Sequence, residues 1–202
     1  MLLFGAGGHS KVVSSVLEDL QIIITGIFDD NKKLILLNNN NKLIGTYNPN
    51  LRTDEDLIIT IGDNTVRKKM AMLIRHNFGF CISKYSICDK LIKIGKGSVI
   101  LHGAIVQRNT IIGEHVILNT ASSIDHDCIL NDFVHISPGA RLGGGVSIGE
   151  GTHIGINASV IPNLNIGKWC IIGAGAVIIN DIPDFSVVVG NPGKVIKRLN
   201  EN

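Results

Sequence analysis

One column of residues limits what this chain can fold into more than any other feature. Stepping by six from Ile94 gives Ile94, Ile100, Val106, Ile112, Leu118, Ile124, Leu130, Ile136, Leu142, Ile148, Ile154, Val160, Ile166, Ile172 and Ile178, fifteen positions that are all Ile, Val or Leu. Aliphatics make up about a quarter of an average chain, so chance does not produce this run. Gly follows the aliphatic in seven of the fifteen hexads (Gly95, Gly113, Gly143, Gly149, Gly155, Gly167, Gly173), and the fifth position is nearly always small, from Ser98 and Ala104 to Cys170 and Ala176. A six-residue period matches neither a helix nor an ordinary alternating strand. It matches a solenoid whose short flat faces each send one large and one small residue inward before turning a corner. Three faces close a coil of 18 residues, so fifteen hexads make five coils. An aliphatic interior also accounts for an aromatic content of only 4%.

Residues 1–85 lack this period and read as a separate α/β domain, followed by the solenoid and its cap in 86–202. Leu2-Leu3-Phe4 is a short strand running into Gly5-Ala6-Gly7-Gly8-His9-Ser10. Val12, Val13, Val16, Leu17 and Leu20 then recur at helical spacing, with Ser10 placed to cap that helix and Glu18-Asp19 facing outward. A second strand over 22–28 ends in Asp29-Asp30, and an asparagine-rich run at 38–41 has no pattern. A strand over 57–61 ends at Gly62-Asp63-Asn64, and 65–78 reads as a helix with Val66, Met70, Leu73 and Ile74 on its apolar face. Phe80-Cys81-Ile82 reads as this domain's last strand.

Strand, glycine turn, helix and a strand ending in acid make half of a doubly wound nucleotide fold. A glycine turn at a helix N-terminus lets backbone N–H groups and the helix dipole meet a phosphate. The G-x-G-x-x-S run lacks the third small residue of a dinucleotide motif, and the domain is half the usual size, so a nucleotide-sugar diphosphate suits it better than NAD. A purely structural turn is the alternative. Asp29 and Asp30 either accept ribose or sugar hydroxyls or form a solvated strand end. After the repeat, Asp181-Ile182-Pro183 ends the last coil, 185–189 is a short strand, and 190–199 reads as a cap with a basic cluster of Lys194, Lys197 and Arg198.

A formal charge of +2 with scattered Lys and Arg argues against a nucleic-acid partner. Four cysteines (Cys81, Cys88, Cys128, Cys170) show neither disulfide nor zinc spacing, and Cys128 and Cys170 fall on the small interior column. Free buried thiols suit a reducing compartment. No signal-peptide pattern and no apolar run of membrane-spanning length is present, so the expectation is a cytoplasmic protein without a membrane partner.

The register also sorts the histidines. Asp125, His126 and Asp127 point outward or sit at a corner, while His135 and His153 point outward 18 residues apart and stack one coil above the other. An outward His beside a carboxylate has the makings of a general base. His102, His115, His126, His135 and His153 offer one same-edge pair and no clear third ligand, so no metal is expected.

The run Asn119-Thr120-Ala121-Ser122-Ser123-Ile124-Asp125-His126-Asp127-Cys128, continued by Phe133-Val134-His135-Ile136-Ser137-Pro138-Gly139-Ala140, resembles the active-site coil of the NeuD/PglD-type sugar O-/N-acetyltransferases. These are hexapeptide-repeat acyltransferases and include bacterial UDP-amino-sugar N-acetyltransferases. The opening Gly5-Ala6-Gly7-Gly8-His9, the acidic pair Asp29-Asp30, the run from Ile61 through Arg67 to Lys69 and the closing Val189-Gly190-Asn191-Pro192 extend the likeness over nearly the whole chain. The resemblance implies a half-Rossmann α/β domain followed by an all-β left-handed parallel β-helix. It implies His126 as general base, with Asp127 raising its basicity, and His135 hydrogen-bonded to the thioester of acetyl-CoA. Backbone at Gly155, Ile156 and Gly173 then lines the pantetheine track. Gly7, Gly8, His9, Asp29, Asp30, Gly62 and Thr65 hold the nucleotide sugar. It also implies a homotrimer with sites between subunits and direct N-acetylation of a UDP-4-amino-4,6-dideoxy sugar without metal, for surface glycan biosynthesis. O-acetylation of sialic acid or another sugar, or a non-catalytic nucleotide-sugar-binding trimer, are the alternative readings.

Overall fold

The structure is a computed structural model and describes residues 1–31 and 42–200. The asparagine-rich run at 38–41 lies outside them. The chain opens with β1 (Leu2–Phe4), α1 (Gly8–Asp19), β2 (Gly26–Phe28), β3 (Leu43–Gly45), β4 (Leu57–Ile59) and α2 (Asn64–Leu73). The four strands form one parallel sheet in the order β3-β2-β1-β4. Every residue of β1, β2 and β4 is buried, which is why they read as unbroken apolar runs without alternation. Gly5 (φ +106) makes the turn out of β1, where a Cβ would sit 3.2 Å from the Thr60 carbonyl oxygen. Helix α1 starts at Gly8 with Gly7 as its N-cap and no side-chain cap. Ser10, expected as the cap, lies inside the first turn and donates its hydroxyl to Gly7 O at 2.8 Å.

From β5 (Cys81–Ile82) to β21 (Val177–Ile178) the chain lays down two-residue strands, and up to Ser159–Val160 each lies in parallel register with the strand 18 residues further on, as in Ile111 with Ile129 and Ile129 with Ser147. The fold is a half-Rossmann α/β domain followed by a left-handed parallel β-helix. Cys81–Ile82 pairs with Val99–Ile100, so it opens the solenoid and does not close the first domain's sheet. The register therefore begins two hexads before Ile94, at Ile82 and Cys88, and the repeat is longer than five coils.

The three faces are distinguished by their outward residues. The first face presents Val99, Ile117, His135, His153 and Ile171; the second Ile105, Ser123, Arg141, Ser159 and Val177; the third Lys93, Ile111, Ile129, Ser147 and Asn165. The following residue of each pair points inward, and Ile100, Leu118, Ile124, Ile136, Ile148 and Ile154 are all fully buried in one continuous core. Each corner needs a left-handed residue, and all fourteen positions at intervals of six from Gly97 to Gly175 have positive φ. At its far end the core is closed by Ile182 and by Val188 of β22 (Ser186–Val189), which pairs with Ile171–Ile172. The antiparallel β23 (Lys194–Arg198) is exposed throughout.

The first domain packs on the early coils of the first face. Leu3, Val13, Val16 and Leu17 share one buried cluster with Val99, Leu101 and Ile117. Helix α2 was expected to bury Val66 and Leu73, yet these are 43% and 57% exposed while Asn64 and Arg67 are buried. The reason is what α2 docks on: the backbone carbonyls of the corners between the third and first faces. Arg67 Nε donates to His115 O (2.9 Å) and Nη2 to Phe133 O (2.8 Å), and Asn64 Nδ2 donates to Gly151 O (2.9 Å).

Coil stacking makes a sharp prediction about glycines. A Cβ on Gly149 would lie 2.5 Å from Gly167 C on the next coil, whereas a Cβ on the corner residue Gly175 (φ +67) meets nothing within 4 Å. We expect Gly149→Ala to cost about 1–3 kcal/mol. Gly175→Asn places a residue tolerant of the left-handed region there and should stay within about 0.5 kcal/mol of the parent. Denaturation midpoints of the two variants read this directly, and equal midpoints would contradict the close-stacking account.

Candidate active site

The corner between the second and third faces carries the dyad. Asp127 occupies the left-handed corner position (φ 58), and the turn aims its carboxylate back at the preceding ring, with His126 Nδ1 and Asp127 Oδ2 2.7 Å apart. The carboxylate only accepts, so Nδ1 carries the proton and Nε2 is left as the basic nitrogen. Asn109, one coil below, donates to the other carboxylate oxygen at 3.1 Å. The hydrogen bond that His126 donates to Asp127, then the charge of Asp125, raise the His126 pKa above its ordinary value. Both side chains are more than half exposed in the single chain. Gly144, one coil above, makes room for the ring, because a Cβ there would sit 2.7 Å from His126 Nε2.

A second group forms in the first domain. Gly7, Gly8, His9, Asp29, Asp30 and Gly62 line one cleft of about 480 Å³ between the sheet's strand ends and α2. Asp29 spends both carboxylate oxygens on backbone, accepting from Ala6 N (2.6 Å) and Asn31 N (2.7 Å), so it holds the glycine turn. Asp30 is exposed and accepts from Tyr47 N at 3.2 Å. His9 Nε2 is buried without a hydrogen-bond partner among the described residues. Thr65, expected in the same group, lies instead in an adjoining cleft of about 940 Å³ with His135, His153, Lys68, Glu150 and Trp169; Gly62 borders both.

His135 is outward from the solenoid, as the register requires, but the first domain covers it to 8% exposure. Its Nδ1 faces Gly62 O at 3.2 Å and its Nε2 faces Asn119 Nδ2 at 3.1 Å. Asn119 Oδ1 is taken by Thr120 N (2.8 Å), which fixes the amide's orientation. A carbonyl only accepts, so His135 is the Nδ1–H tautomer and Nε2 accepts from Asn119. Burial, then the charges of His153 and Arg67, push its pKa down to about 3. Burial and Arg67 likewise hold His9 and His115 at about 4 and lower His153.

Gly155, Ile156 and Gly173 sit with Asn119 on the corner between the first and second faces. Ile156 is exposed, while Gly155 and Gly173 are packed against the next coil or the strand above it. The corner of His126 and Asp127 is the one opposite the first face, so within one chain the dyad does not meet the clefts. Asn64, Arg67, Asn119 and His153 were given no role from the sequence. The eighteen-residue step linking His135 to His153 does appear there, and Asn64 and Arg67 lie in the run that carries the family likeness, but helical periodicity does not signal that α2 buries its polar face. Among the described residues no three His, Cys, Asp or Glu gather as a metal site, and no helix is long and apolar enough to cross a membrane.

Neutral buried histidines predict an acid-sensitive fold. Their folded pKa values lie below the unfolded value of about 6.5, so their contribution is complete above that pH and is lost as pH falls toward about 3–4. Stability should drop by up to about 1.4 kcal/mol per pH unit for each histidine in this window. Denaturant midpoints measured between pH 7 and pH 4 check it; a flat profile would mean these rings are protonated or solvated in the fold.

A family model for the PglD N-terminal domain matches residues 1–74, and one for the bacterial transferase hexapeptide (six repeats) matches 145–180. The acetyltransferase domain of PglB from Neisseria gonorrhoeae is 34% identical, with a TM-score of 0.86 over 96% of this chain and 98% of that one. PerB from Caulobacter crescentus, solved with CoA and GDP-perosamine, is 31% identical with a TM-score of 0.90 over 97% and 96%. An uncharacterized mimivirus protein, L142, is 34% identical over 100 residues, and the chain spans about a fifth or less of the curated relatives it matches. With the repeat, the two clefts and these likenesses together, the chain belongs to the PglD/NeuD-type family of hexapeptide-repeat sugar acetyltransferases.

Proposed function

We propose that the protein is an acetyl-CoA-dependent N-acetyltransferase acting on the amino group of a nucleotide-linked sugar, of the UDP-4-amino-4,6-dideoxy type. The observation that carries this reading is the gathering of six predicted residues in one cleft that reaches His135 through Gly62. The N-terminus of α1 opens there without a side-chain cap, suited to a diphosphate. The orphaned His9 Nε2 awaits a partner in the same cleft, and Asp30 is the carboxylate with capacity left for a hydroxyl. The bound GDP-perosamine of the Caulobacter relative supports a nucleotide sugar and leaves the base as a choice for the assay.

In this reading His126 Nε2 takes a proton from the acceptor amine as its nitrogen attacks the thioester carbonyl carbon. The tetrahedral centre then collapses, the C–S bond breaks, and the CoA thiolate leaves and takes up a proton, giving an amide and a free thiol. Acetyl-CoA would lie along the corner of Asn119, Gly155, Ile156 and Gly173. His135 in its present tautomer has no proton on Nε2 to give a thioester oxygen, so the donor in reach is the Asn119 amide that His135 supports. This alters the part expected of His135 from a direct thioester contact to a support.

A base on the corner opposite the clefts requires a second subunit to complete the site. Half-exposed Ile111 and Ile129 on the third face, and Ile161 and Ile179 on the corner above His126, give the apolar surface for a trimer in which each His126 serves a neighbour.

Thiol release from acetyl-CoA against a panel of UDP- and GDP-linked 4-amino sugars, plus free sialic acid, tests the reading. Turnover should require an amino nucleotide sugar and vanish in His126→Ala at unchanged fold. Turnover on sialic acid alone would move the function to O-acetylation and remove the nucleotide role of the first domain. Mixing His126→Ala with Asp30→Ala subunits should restore part of the activity, since some sites in mixed trimers pair an intact base with an intact cleft. Failure to restore any, with mixing verified, would place both residues in one subunit's site. Asp127→Asn should lower the His126 pKa toward about 6.5, read by NMR titration.

A further inference from the structure

His135 and His153 form a ladder with a repeated partner one rung down. The rings are stacked, with centroids 4.7 Å apart and planes within 3°. Asn119 lies 3.1 Å from His135 Nε2, and Ser137, one coil above Asn119, lies 2.7 Å from His153 Nε2. The two rungs are therefore copies of one arrangement, displaced by a coil. In the lower rung His135 joins two elements: Gly62 on the first-domain cleft through Nδ1, and Asn119 on the opposite corner through Nε2. Among the described residues these two are the ring's hydrogen-bond partners, and its upper flat side rests on His153.

We propose that His153, held by Ser137, is a positioning residue that acts through His135. It clamps the His135 ring flat, so that the ring stays in the tautomer donating to Gly62 and accepting from Asn119. This fixes the Asn119 amide relative to the sugar cleft. The idea rests on the N-acetyltransferase reading for its kinetic consequence but not for its structural one. The alternative, that His153 merely fills space on the first face, leaves the His135 tautomer indifferent to its removal.

Long-range 1H–15N NMR of the imidazole rings separates the two, paired with acetyl-transfer assays on the full-length protein. The parent should show His135 as a single Nδ1–H tautomer. In His153→Ala we expect that signature to shift toward the mixture of a free imidazole and turnover to fall roughly 10–100-fold, as for a displaced reacting group. His153→Phe keeps a stacked ring and should retain the tautomer and most of the turnover; Ser137→Ala should fall between the two. A His153→Ala protein with the parental His135 tautomer and parental turnover overturns the proposal. If His153→Ala does not fold, His153→Phe and Ser137→Ala decide it: a parental tautomer in His153→Phe with a partly shifted one in Ser137→Ala supports the clamp, and a parental tautomer in Ser137→Ala overturns it. If no preparation turns over at all, the tautomer still settles the clamp, and only the acetyltransferase reading falls.

Discussion

The two halves of this protein meet around one buried guanidinium. Arg67 is 1% exposed and, among the described residues, has no carboxylate in hydrogen-bond contact; its N–H groups are accepted by His115 O, Ile61 O, Gly62 O, Phe133 O and Asn64 Oδ1, all at 2.8–3.1 Å. Stripping water from a cation costs several kcal/mol, so such a burial stands only where the donors are matched with good geometry. The match is demanding. It needs two corners of the solenoid and the turn after β4 to present carbonyls to one planar fork, and lysine, with three donors on a point charge, cannot reproduce it. Burial lowers even the Arg67 pKa, to about 10, yet the group stays charged at neutral pH.

That retained charge has a second effect. It sits near His9, His115, His135 and His153 and, after burial itself, helps keep all four neutral. Neutral imidazoles have one donor and one acceptor nitrogen, so they serve as rigid links. His135 is such a link, from Gly62 to Asn119. His126 has the opposite environment: exposed, beside two aspartates, with its cation favoured. The same residue type is thus divided by position into neutral rings on the covered face, among which His135 bridges two groups, and one ring on the open corner whose cation is favoured.

Much of this was legible in the sequence because the solenoid is nearly one-dimensional. Once the column at Ile94 is read, every residue's face follows by counting, and the stacking of His135 on His153 and the outward corner of His126 came from counting alone. The start of the repeat did not, because Cys88 stands where an aliphatic would have extended the column back to Ile82. A second column went unread: the corner positions from Gly97 to Gly175 are mostly Gly, Asn, Asp and His, residues that tolerate positive φ. Phe133 and Trp169 disguise it, since such bulky side chains are rare in that region and persist only where the surroundings over-determine the turn. Helix α2 misled for a physical reason. Amphipathic patterning assumes that a helix buries its apolar side, but α2 packs on a row of backbone carbonyls, whose natural complement is Asn64 and Arg67.

Three faces also explain why the His126 dyad and the clefts, joined in the proposed function, stand apart within one chain. Three stacks of parallel strands leave three corners; the first domain docks by α2 on one, the Asn119 column takes the next, and the His126 column is left on the third, across the prism from the first face. No local rearrangement moves a side chain from one corner to another, because a shift by one hexad would have to carry the entire aliphatic column with it, and a shift by one residue would turn that column outward. The coil spacing that fixes the core therefore also fixes the separation of His126 and the cleft. For the dyad at His126 to act on a ligand held against His9, Asp30 and Gly62, the neighbouring prism has to supply it, so association is part of the chemistry proposed for the fold.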